Sequence, residues 1–444
     1  MRLSAAALAL ATAAAASPAA QDTPDAKTLL WTVETKSPSY GSAAAADLDG
    51  DGVPEIVFGT YYGDEQLYCV DGKTGAVKWR KKSRGGPLDA SVLIADVDAD
   101  GAPEIVFGDS AHGTIWCLDA AGAEQWIFDG PSGTDSPPAA ADLDGDGTVE
   151  IVYGTMKVKG GAGRVVALDG ATGKERWHAE VPGHVQSEPA LVDLDADGVR
   201  DVLVTNWMGD GKLRALNGKD GAELWSFVTG DWIYHGVSVN DFDGDGKPEI
   251  VVADRKGSVW MLEGESGAIQ WTAALEGERE GSVFGPTTLV DADGKDAPEI
   301  VVCGLHLHLL DARKGETRWR RAFGGGSLAR GAAAADVDGD GRQDLVFGEG
   351  TRLRAARARD GKELWAWELR SGEEVHEGLD HAPLLLDLDG DGRLDVFIVG
   401  GKGTSDATRA SNYGRAWALR AGKGKASAGN AWTTFRGSNL RGGN

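Results

Sequence analysis

The chain contains an acidic nonapeptide, Asp47-Leu48-Asp49-Gly50-Asp51-Gly52-Val53-Pro54-Glu55, followed directly by the apolar segment Ile56-Val57-Phe58-Gly59. The nonapeptide pattern begins eight times, 45 to 51 residues apart, at Asp47, Asp96, Asp142, Asp193, Asp241, Asp291, Asp336 and Asp387. A tryptophan recurs with the same period, at Trp31, Trp79, Trp126, Trp177, Trp225, Trp271, Trp319 and Trp365. Two independent markers that share one period indicate eight copies of one structural unit.

Each unit has the pattern of four short strands. In the first unit, the apolar or β-branched segments are residues 42–46, 55–59, 66–70 and 76–79, separated by turns rich in Gly and Asp. Such segments predict strands and hairpins, whereas no segment after residue 20 has helical periodicity over ten residues. Four antiparallel strands in a unit of this length correspond to one propeller blade. We therefore expect an all-β fold, an eight-bladed β-propeller with four antiparallel strands per blade.

The two ends of the repeat region predict how the ring closes. Residues 29–33 match the fourth strand of a blade, and residues 415–419 at the end of the eighth unit match a third strand. The N-terminal strand is therefore expected to complete the last blade and to leave no open sheet edge between the termini. The expected domains are a linker at 21–28, the propeller at 29–425 and a C-terminal tail or cap at 426–444.

The first twenty residues have the features of a targeting segment. A positive charge at Arg2 precedes a small apolar run at residues 4–16, and small residues at 17–20 offer a cleavage region. This pattern predicts a secretory signal peptide at 1–20, removed in the mature chain, and a secreted or periplasmic location. No other apolar stretch approaches the ~18 residues that a transmembrane helix requires, so none is expected.

The acidic loops have the composition of calcium sites. In the first loop, positions one, three and five place three carboxylates on a tight turn, and an acid at position nine closes a set of hard oxygen ligands. Crowded carboxylates repel one another unless a cation neutralises them. Seven loops keep all four acids. They are Asp47, Asp49, Asp51 and Glu55; Asp96, Asp98, Asp100 and Glu104; Asp142, Asp144, Asp146 and Glu150; Asp193, Asp195, Asp197 and Asp201; Asp241, Asp243, Asp245 and Glu249; Asp336, Asp338, Asp340 and Asp344; and Asp387, Asp389, Asp391 and Asp395.

The sixth loop, which begins at Asp291, departs from this pattern. It carries Lys295 at position five and Asp296 in place of the glycine at position six. An ammonium group there could replace the ion. The sequence thus predicts about seven structural Ca²⁺ sites and a metal-free or weak sixth loop, and the alternative interpretation of the loops is a set of Asx-type turns at hairpin tips.

Two features of the unit carry a family resemblance. The Asp-x-Asp-x-Asp-Gly-x-x-acid loop followed by Ile-Val-x-Gly resembles the FG-GAP (VCBS-type) repeats of integrin α-subunit propellers. The phrase at residues 166–173, which leads to Trp177, resembles the PQQ-like propeller repeat. Together the resemblances cover roughly residues 29 to 420. They imply a β-propeller, and the integrin likeness implies a calcium-stabilised module that binds a protein or polysaccharide.

Composition narrows the classes of partner. The chain has 69 acidic against 45 basic residues, a formal net charge of -24, so nucleic acids and anionic membranes are disfavoured and cations are favoured. Three cysteines, Cys69, Cys117 and Cys303, are too few for a disulfide scaffold, and we expect them to be small buried residues. The expected partner is an extracellular or periplasmic protein or polysaccharide, and the expected state is a monomer.

One position of the unit predicts a ligand site. Six residues before each acidic loop, at the start of the innermost strand, the eight units carry Gly41, Ala90, Ser136, Ser187, His235, Gly285, Arg330 and His381. Small residues are interrupted by three larger polar ones, which we expect to meet at the mouth of the central channel. With neighbouring polar and aromatic residues they would recognise an anionic or sugar-like ligand; the alternative is that they plug the channel. The candidate ligand-binding residues are His235, Arg330, His381, Trp232, Tyr234, His184 and Glu188.

Two classes of function remain open at this point. A non-enzymatic binding module is favoured, because the chain has neither a plausible nucleophile-elbow triad nor a Cys-x-x-Cys-His haem site, and no catalytic residue is assigned. The alternatives are an enzyme or a periplasmic assembly scaffold. A PQQ-type quinoprotein dehydrogenase would carry adjacent cysteines at its cofactor, which this chain lacks. A polysaccharide lyase would need a base such as His235 or His381 beside Arg330.

Overall fold

The computed structural model describes residues 28–159, 161–294, 298–324, 328, 330–370, 378–403 and 405–426. These residues form eight four-stranded antiparallel sheets arranged as blades in a ring, together with one 3₁₀ helix, Asp406–Ser411. The expected eight-bladed β-propeller is confirmed. The predicted signal peptide and nearly all of the predicted C-terminal tail lie outside the described residues.

The first four blades follow one another in chain order. Blade 1 consists of β2 (Ala44–Ala46), β3 (Glu55–Gly59), β4 (Gln66–Asp71) and β5 (Val77–Lys82). Blade 2 consists of β6 (Leu93–Ala95), β7 (Glu104–Gly108), β8 (Thr114–Leu118) and β9 (Glu124–Asp129). Blade 3 consists of β10 (Ala139–Ala141), β11 (Glu150–Gly154), β12 (Gly163–Asp169) and β13 (Glu175–Val181). Blade 4 consists of β14 (Ala190–Val192), β15 (Asp201–Thr205), β16 (Lys212–Leu216) and β17 (Glu223–Val228).

The remaining blades repeat this order, except that the last one takes its outer strand from the N-terminus. Blade 5 consists of β18 (Ser238–Asn240), β19 (Glu249–Ala253), β20 (Ser258–Glu263) and β21 (Ile269–Ala274). Blade 6 consists of β22 (Thr288–Val290), β23 (Glu299–Cys303), β24 (Leu307–Leu310) and β25 (Thr317–Arg321). Blade 7 consists of β26 (Ala333–Ala335), β27 (Asp344–Glu349), β28 (Arg352–Arg357) and β29 (Glu363–Glu368). Blade 8 consists of β30 (Leu384–Leu386), β31 (Arg393–Lys402), β32 (Tyr413–Lys425) and β1 (Leu29–Thr35).

The ring closes as the sequence predicts. Strand β1 pairs antiparallel with β32, and Trp31 lies opposite Ala418. The first and last strands of the fold therefore belong to one sheet. Their pairing covers the sheet edge that would otherwise be exposed where the two ends of the ring meet. Apolar contact continues across the junction, because Phe58 of blade 1 lies 5.4 Å from Phe397 of blade 8 between ring centroids.

The sequence of each strand matches its depth in the blade. The innermost strands have three residues and are often Ala-rich, so the eight blades can converge on the channel. Most second strands, such as Glu55–Gly59, are buried along their whole length between neighbouring blades, which explains their continuous apolar runs. The fourth strands alternate between exposed and partly buried residues because they form the rim. The three cysteines are buried and unpaired, as expected.

The repeated tryptophans join each blade to the next one. The indole nitrogen of Trp126, in strand β9 of blade 2, donates a hydrogen bond to the carbonyl oxygen of Gly170, which lies 2.7 Å away in blade 3. The indole ring also lies over Gly173, where an added Cβ would come within 2.4 Å of it. That glycine has a φ of 67°, so two independent constraints require glycine in the turn. The same indole hydrogen bond is made by Trp31, Trp79, Trp177, Trp225, Trp271 and Trp319.

Candidate metal loops and central cavity

Each acidic loop is organised by its first aspartate. In the first loop, Asp47 Oδ1 accepts the amide hydrogen of Gly50 at 2.8 Å, and Oδ2 accepts that of Gly52 at 3.0 Å. Both glycines have positive φ, 77° and 85°, which allows the backbone to wrap around the carboxylate. Asp49 and Asp51 accept amide hydrogens two residues further along. The carboxylates are thus held on one side of a tight turn.

The acid at position nine is the buried member of each loop. Glu55 is 1 % exposed, and its Oε2 accepts the amide hydrogen of Leu48 at 2.8 Å. The equivalent bond recurs in the other seven loops, from Glu104, Glu150, Asp201, Glu249, Glu299, Asp344 and Asp395. In each loop, the carboxylate group at position nine is therefore held in place through one of its oxygens, and it lies beside the more exposed aspartates.

The crowding of these carboxylates affects their pKa values. Burial raises the pKa of Glu249 to about 7, and the neighbouring Asp243, Asp241 and Asp245 add to the effect. Burial likewise raises the pKa of Asp201 to about 6 and those of Asp344 and Asp395 to about 7. Without a cation, the ionised form of such a group is penalised by burial and by its acidic neighbours.

Several of these clusters could hold a metal ion. Carboxylate oxygens of Asp47, Asp49 and Glu55 lie within 4.8 Å of one another, as do those of three acids in the second, third and fourth loops. In the sixth loop, Asp291 Oδ1 accepts the amide hydrogen of Gly294 at 2.6 Å, whereas Lys295 and Asp296 lie outside the described residues. The donor set is all oxygen, which suits hard divalent cations.

Basic side chains enter some of the loops. Lys78 Nζ lies 2.7 Å from Asp49 and also contacts Glu55, and Arg176 contacts Asp144 at 2.7 Å in the third loop. Both cations occupy the extra position of a β-bulge that precedes the repeated tryptophan, and a bulge re-aims its side chain. Arg318 takes the same position in blade 6. Among the described residues, no ion pair involves the four acids of the second loop or those of the fifth, in which Lys247 pairs with Glu265 outside the loop.

A polar cavity of about 270 Å³ lies where the innermost strands begin. The three residues singled out by the repeat alignment, His235, Arg330 and His381, all line it, as does Tyr234. The backbones of Arg330 and His381 form a parallel bridge, so the starts of blades 7 and 8 are adjacent. The remaining lining residues are Tyr40, Ser42, Tyr61, Asp89, Ser91, Asp135, Pro137 and Gln186.

The guanidinium group of Arg330 in the cavity packs against aromatic rings. The guanidinium carbon of Arg330 lies 5.1 Å from the ring centroid of Tyr234 and 5.6 Å from that of Tyr40. Tyr61 contacts Tyr40 edge-on, with 4.7 Å between centroids. A cation between tyrosine faces is stabilised by cation–π attraction, which positions the guanidinium group in the cavity.

A pair of acidic residues completes the polar lining. Burial raises the pKa of Asp89 well above its usual range, and the nearby Asp135 raises it further. Ser110 donates a hydrogen bond to Asp89, and Gln186 Nε2 donates one to Asp135 at 2.5 Å. Among the described residues, the buried atoms Asp135 Oδ1 and Gln186 Oε1 have no hydrogen-bond partner. Two acceptors are therefore left for a bound hydroxyl or amine.

The two histidines have different surroundings. His381 is buried, and its Nδ1 and Nε2 each lie 3.0 Å from a backbone oxygen, those of Ala382 and Val399. Burial lowers the pKa of His381, so it stays neutral. His235 Nδ1 lies 3.4 Å from Oε2 of the fully buried Glu188. The ring of His381 is thus fixed by the backbone, which is a poor arrangement for a catalytic base.

Three of the predicted ligand residues are not part of the lining. Glu188 lies behind His235 and accepts the amide hydrogen of Gly236 at 3.1 Å. Trp232 packs against Trp207, with 5.3 Å between centroids, and under Arg255. His184 forms a bridge with Trp207 and accepts the amide hydrogen of Lys157 at 3.2 Å. The cavity therefore includes four of the seven predicted residues.

Seven of the eight further lining residues follow the same periodicity. Tyr40, Asp89, Asp135 and Gln186 each precede the aligned position of their unit by one residue, as Tyr234 does in blade 5. Ser42, Ser91 and Pro137 follow the aligned position by one residue. Extending the alignment by one residue on either side would have found these seven, whereas Tyr61 lies in the connection between β3 and β4.

The blades, their repeat and the channel-mouth cavity define a β-propeller built from PQQ-like repeats. A family model described as "Outer membrane protein assembly factor BamB" matches residues 23–206, 111–232 and 209–431. The chain belongs to this family. No curated protein matches the chain. Among its described residues, the protein has no helix with the length and apolar character of a membrane span.

Solved structures with a similar fold differ widely in function. The biofilm matrix protein Bap1 of V. cholerae is 17% identical, with 93% of this chain and 94% of that chain covered and a TM-score of 0.63. Sqt1 of Saccharomyces cerevisiae is 11% identical, with 89% and 99% covered and a TM-score of 0.66. The quinohemoprotein alcohol dehydrogenase of Comamonas testosteroni is 15% identical, with 90% and 78% covered and a TM-score of 0.59. At these identities the likeness shows the fold alone.

The cavity does not match the quinone cofactor that the name of the repeat implies. Pyrroloquinoline quinone carries three carboxylates, whereas the cavity offers one guanidinium, Arg330, beside the acidic side chains Asp89 and Asp135. Cys69, Cys117 and Cys303 lie buried in blades 1, 2 and 6, and none of them lines the cavity. The donor set therefore suits a ligand rich in hydroxyl groups better than a tricarboxylate.

Proposed function

We propose that the protein is an exported, calcium-stabilised β-propeller that binds polysaccharide through the cavity at the mouth of its channel. The observation that carries this proposal is the lining itself: three tyrosines, a guanidinium, two acidic groups, an amide and two serine hydroxyls around about 270 Å³. Tyrosine faces cover the apolar faces of a sugar, and the mixed donors and acceptors match its hydroxyl groups.

The charge of the lining favours a neutral or weakly charged sugar over a strongly anionic ligand. Arg330 supplies donors only, while Asp135 Oδ1 and Gln186 Oε1 supply acceptors that lack a partner among the described residues. Burial and the neighbouring Asp135 raise the pKa of Asp89, which favours its neutral form, and a neutral carboxyl group both donates and accepts hydrogen bonds. A polyhydroxylated ligand uses both kinds of group.

Calcium is proposed as the ion of the seven complete acidic loops. The oxygen-only donor sets, the glycine-dependent turns and the likeness of the loops to FG-GAP repeats support it. The ions would act structurally, since each loop lies at a hairpin tip between the first two strands of a blade. A signal peptide at 1–20 and a secreted or periplasmic location are part of the same proposal.

A glycan array probed with the calcium-loaded protein, followed by analysis of the bound glycans for cleavage, tests the proposal. Binding without product supports a binding module, whereas product formation would indicate a lyase or hydrolase. The absence of any glycan binding would contradict the proposal.

Family membership favours one second candidate, an envelope assembly scaffold that binds protein. The matching family model is described by an assembly factor, and its match extends over residues 23–431. A scaffold of this kind would be captured by envelope proteins with equal strength when the cavity residue Arg330 is replaced. Loss of capture in an Arg330→Gln variant would instead assign the interaction to the cavity.

A further inference from the structure

A second cluster of ligating side chains lies outside the central cavity. Glu278 belongs to the connection between β21 and β22, whereas His306 and His308 belong to the β23–β24 hairpin of blade 6. Glu278 Oε1 lies 3.0 Å from His306 Nδ1 and 3.0 Å from His308 Nε2. We propose that these three side chains form a site for a transition-metal ion such as Zn²⁺, independent of the calcium loops and of the proposed function.

The geometry of the donor atoms fits such an ion. All three ligand atoms lie within 4.8 Å of one another. Tetrahedral zinc with bonds of about 2.0 Å has ligand atoms separated by about 3.3 Å, so the two measured distances need only a few tenths of an ångström of adjustment. Two imidazoles and one carboxylate are the protein ligands of many zinc and non-haem iron sites, which leave a further position open.

Burial indicates that the cluster is built rather than accidental. The side chains of Glu278 and His308 are fully buried, whereas His306 is 24% exposed and gives solvent access. The absence of a side chain at Gly304 leaves room for the Glu278 carboxylate group, because a Cβ atom added at position 304 would lie 2.4 Å from Glu278 Oε2. The amide of Leu305 donates to the same oxygen at 2.8 Å and fixes its orientation.

The two ring nitrogens of His308 have different surroundings. Nε2 faces the Glu278 carboxylate, whereas Nδ1 is buried and has no hydrogen-bond partner among the described residues. Coordination through Nε2 would leave the imidazole proton on Nδ1.

The guanidinium group of the neighbouring Arg320 does not occupy the proposed metal site. Arg320 and His306 both lie next to Gly277, because a Cβ atom added at position 277 would be 2.9 Å from each of the two side chains. Its Nη1 donates to the carbonyl oxygen of Glu276 at 2.6 Å and lies 3.4 Å from the Glu276 carboxylate. The guanidinium is thus held by Glu276 rather than by Glu278.

Titration of the full-length protein with Co²⁺, in an excess of calcium that occupies the acidic loops, tests the site. We expect one equivalent of Co²⁺ with the intense visible absorption of a four- or five-coordinate ion, displaced by one equivalent of Zn²⁺. His306→Gln, which alters a partly exposed residue, should weaken binding at least tenfold. Glu278→Gln should do the same, with circular dichroism as the check on folding.

The matched control is His112→Gln, an exposed histidine at the equivalent hairpin of blade 2, which should leave Co²⁺ binding unchanged. Absence of Co²⁺ and Zn²⁺ binding by the wild-type protein would overturn the proposal. Equal affinity in the wild type and in His306→Gln would overturn it as well.

Discussion

The indole nitrogen of Trp31 donates a hydrogen bond to the carbonyl oxygen of Gly72 across 2.7 Å, and this bond joins the N-terminal strand to the turn of blade 1. Because β1 belongs to blade 8, the bond closes the ring where the chain itself does not. The same contact joins most other pairs of neighbouring blades. The ring is thus closed by the same tryptophan hydrogen bond that joins most other neighbouring blades.

Replacing Trp31 tests this closure. Trp31→Phe keeps the aromatic packing but removes the donor, so we expect a loss of about 0.5–1.5 kcal/mol in the free energy of unfolding. Trp31→Ala should cost about 3–5 kcal/mol. Urea denaturation measures both. The matched control is Trp365→Phe, because Trp365 Nε1 has no hydrogen-bond partner within the part of the chain that the structure describes. An equal loss in Trp365→Phe would contradict the role of the bond.

Removal of calcium is expected to destabilise the ring. If each of the seven loops binds with a Kd of about 10 μM, calcium at about 1 mM contributes about 2.7 kcal/mol per site. Chelation should therefore lower the Tm markedly, and added calcium should restore it. Calorimetry with and without chelator measures the effect, together with elemental analysis of the folded protein. An unchanged Tm would contradict the calcium proposal.

The first loop offers a test of competition between calcium and an internal cation. Lys78 contacts Asp49 and Glu55, so a bound ion must displace its ammonium group. Lys78→Met should raise the calcium affinity of this loop and lower the Tm of the calcium-free protein, because the carboxylates lose their counter-charge. Lys82→Met, in the same strand but beyond the loop, is the control. Calcium isotherms that coincide for the two variants would argue against a metal site at this loop.

The carboxyl group of Asp89 gives a pH-dependent prediction. Burial and Asp135 raise its pKa in the folded state above the usual value of 3.8, so the folded protein holds a proton that the unfolded chain releases. Stability from this group is present below pH 3.8 and is lost as pH rises through the folded-state pKa. Asp89→Asn removes this loss, and its stability relative to wild type should increase with pH. Urea unfolding of both proteins from pH 4 to 8 measures the difference; a constant difference would contradict the shifted pKa.

The sequence predicted the scaffold well because its markers are local and repeated. The period of the acidic loop and of Trp31 and its equivalents determined blade number, strand order and ring closure. The position six residues before each loop located His235, Arg330 and His381 at one cavity. Such inferences succeed because eight copies place equivalent residues at equivalent points around one axis.

What the sequence did not predict depends on contacts between units. Asp89 and Asp135 belong to different blades, and only the curvature of the ring brings them together. The spacing of His306 and His308 suggests two ligands on one strand face, but the third, Glu278, comes from the preceding connection. The entry of Lys78 into the first loop follows from a bulge that the sequence pattern does not show.

The most direct test of the account is the affinity of calcium-loaded protein for a glycan identified on the array, measured by titration calorimetry for wild type, Arg330→Gln and Arg255→Gln. Arg255 also lies over an aromatic ring, 4.6 Å from the centroid of Trp232, but does not line the cavity. We predict that Arg330→Gln weakens binding at least tenfold, about 1.4 kcal/mol, while Arg255→Gln retains the wild-type affinity. Unchanged binding by Arg330→Gln would contradict recognition in the central cavity.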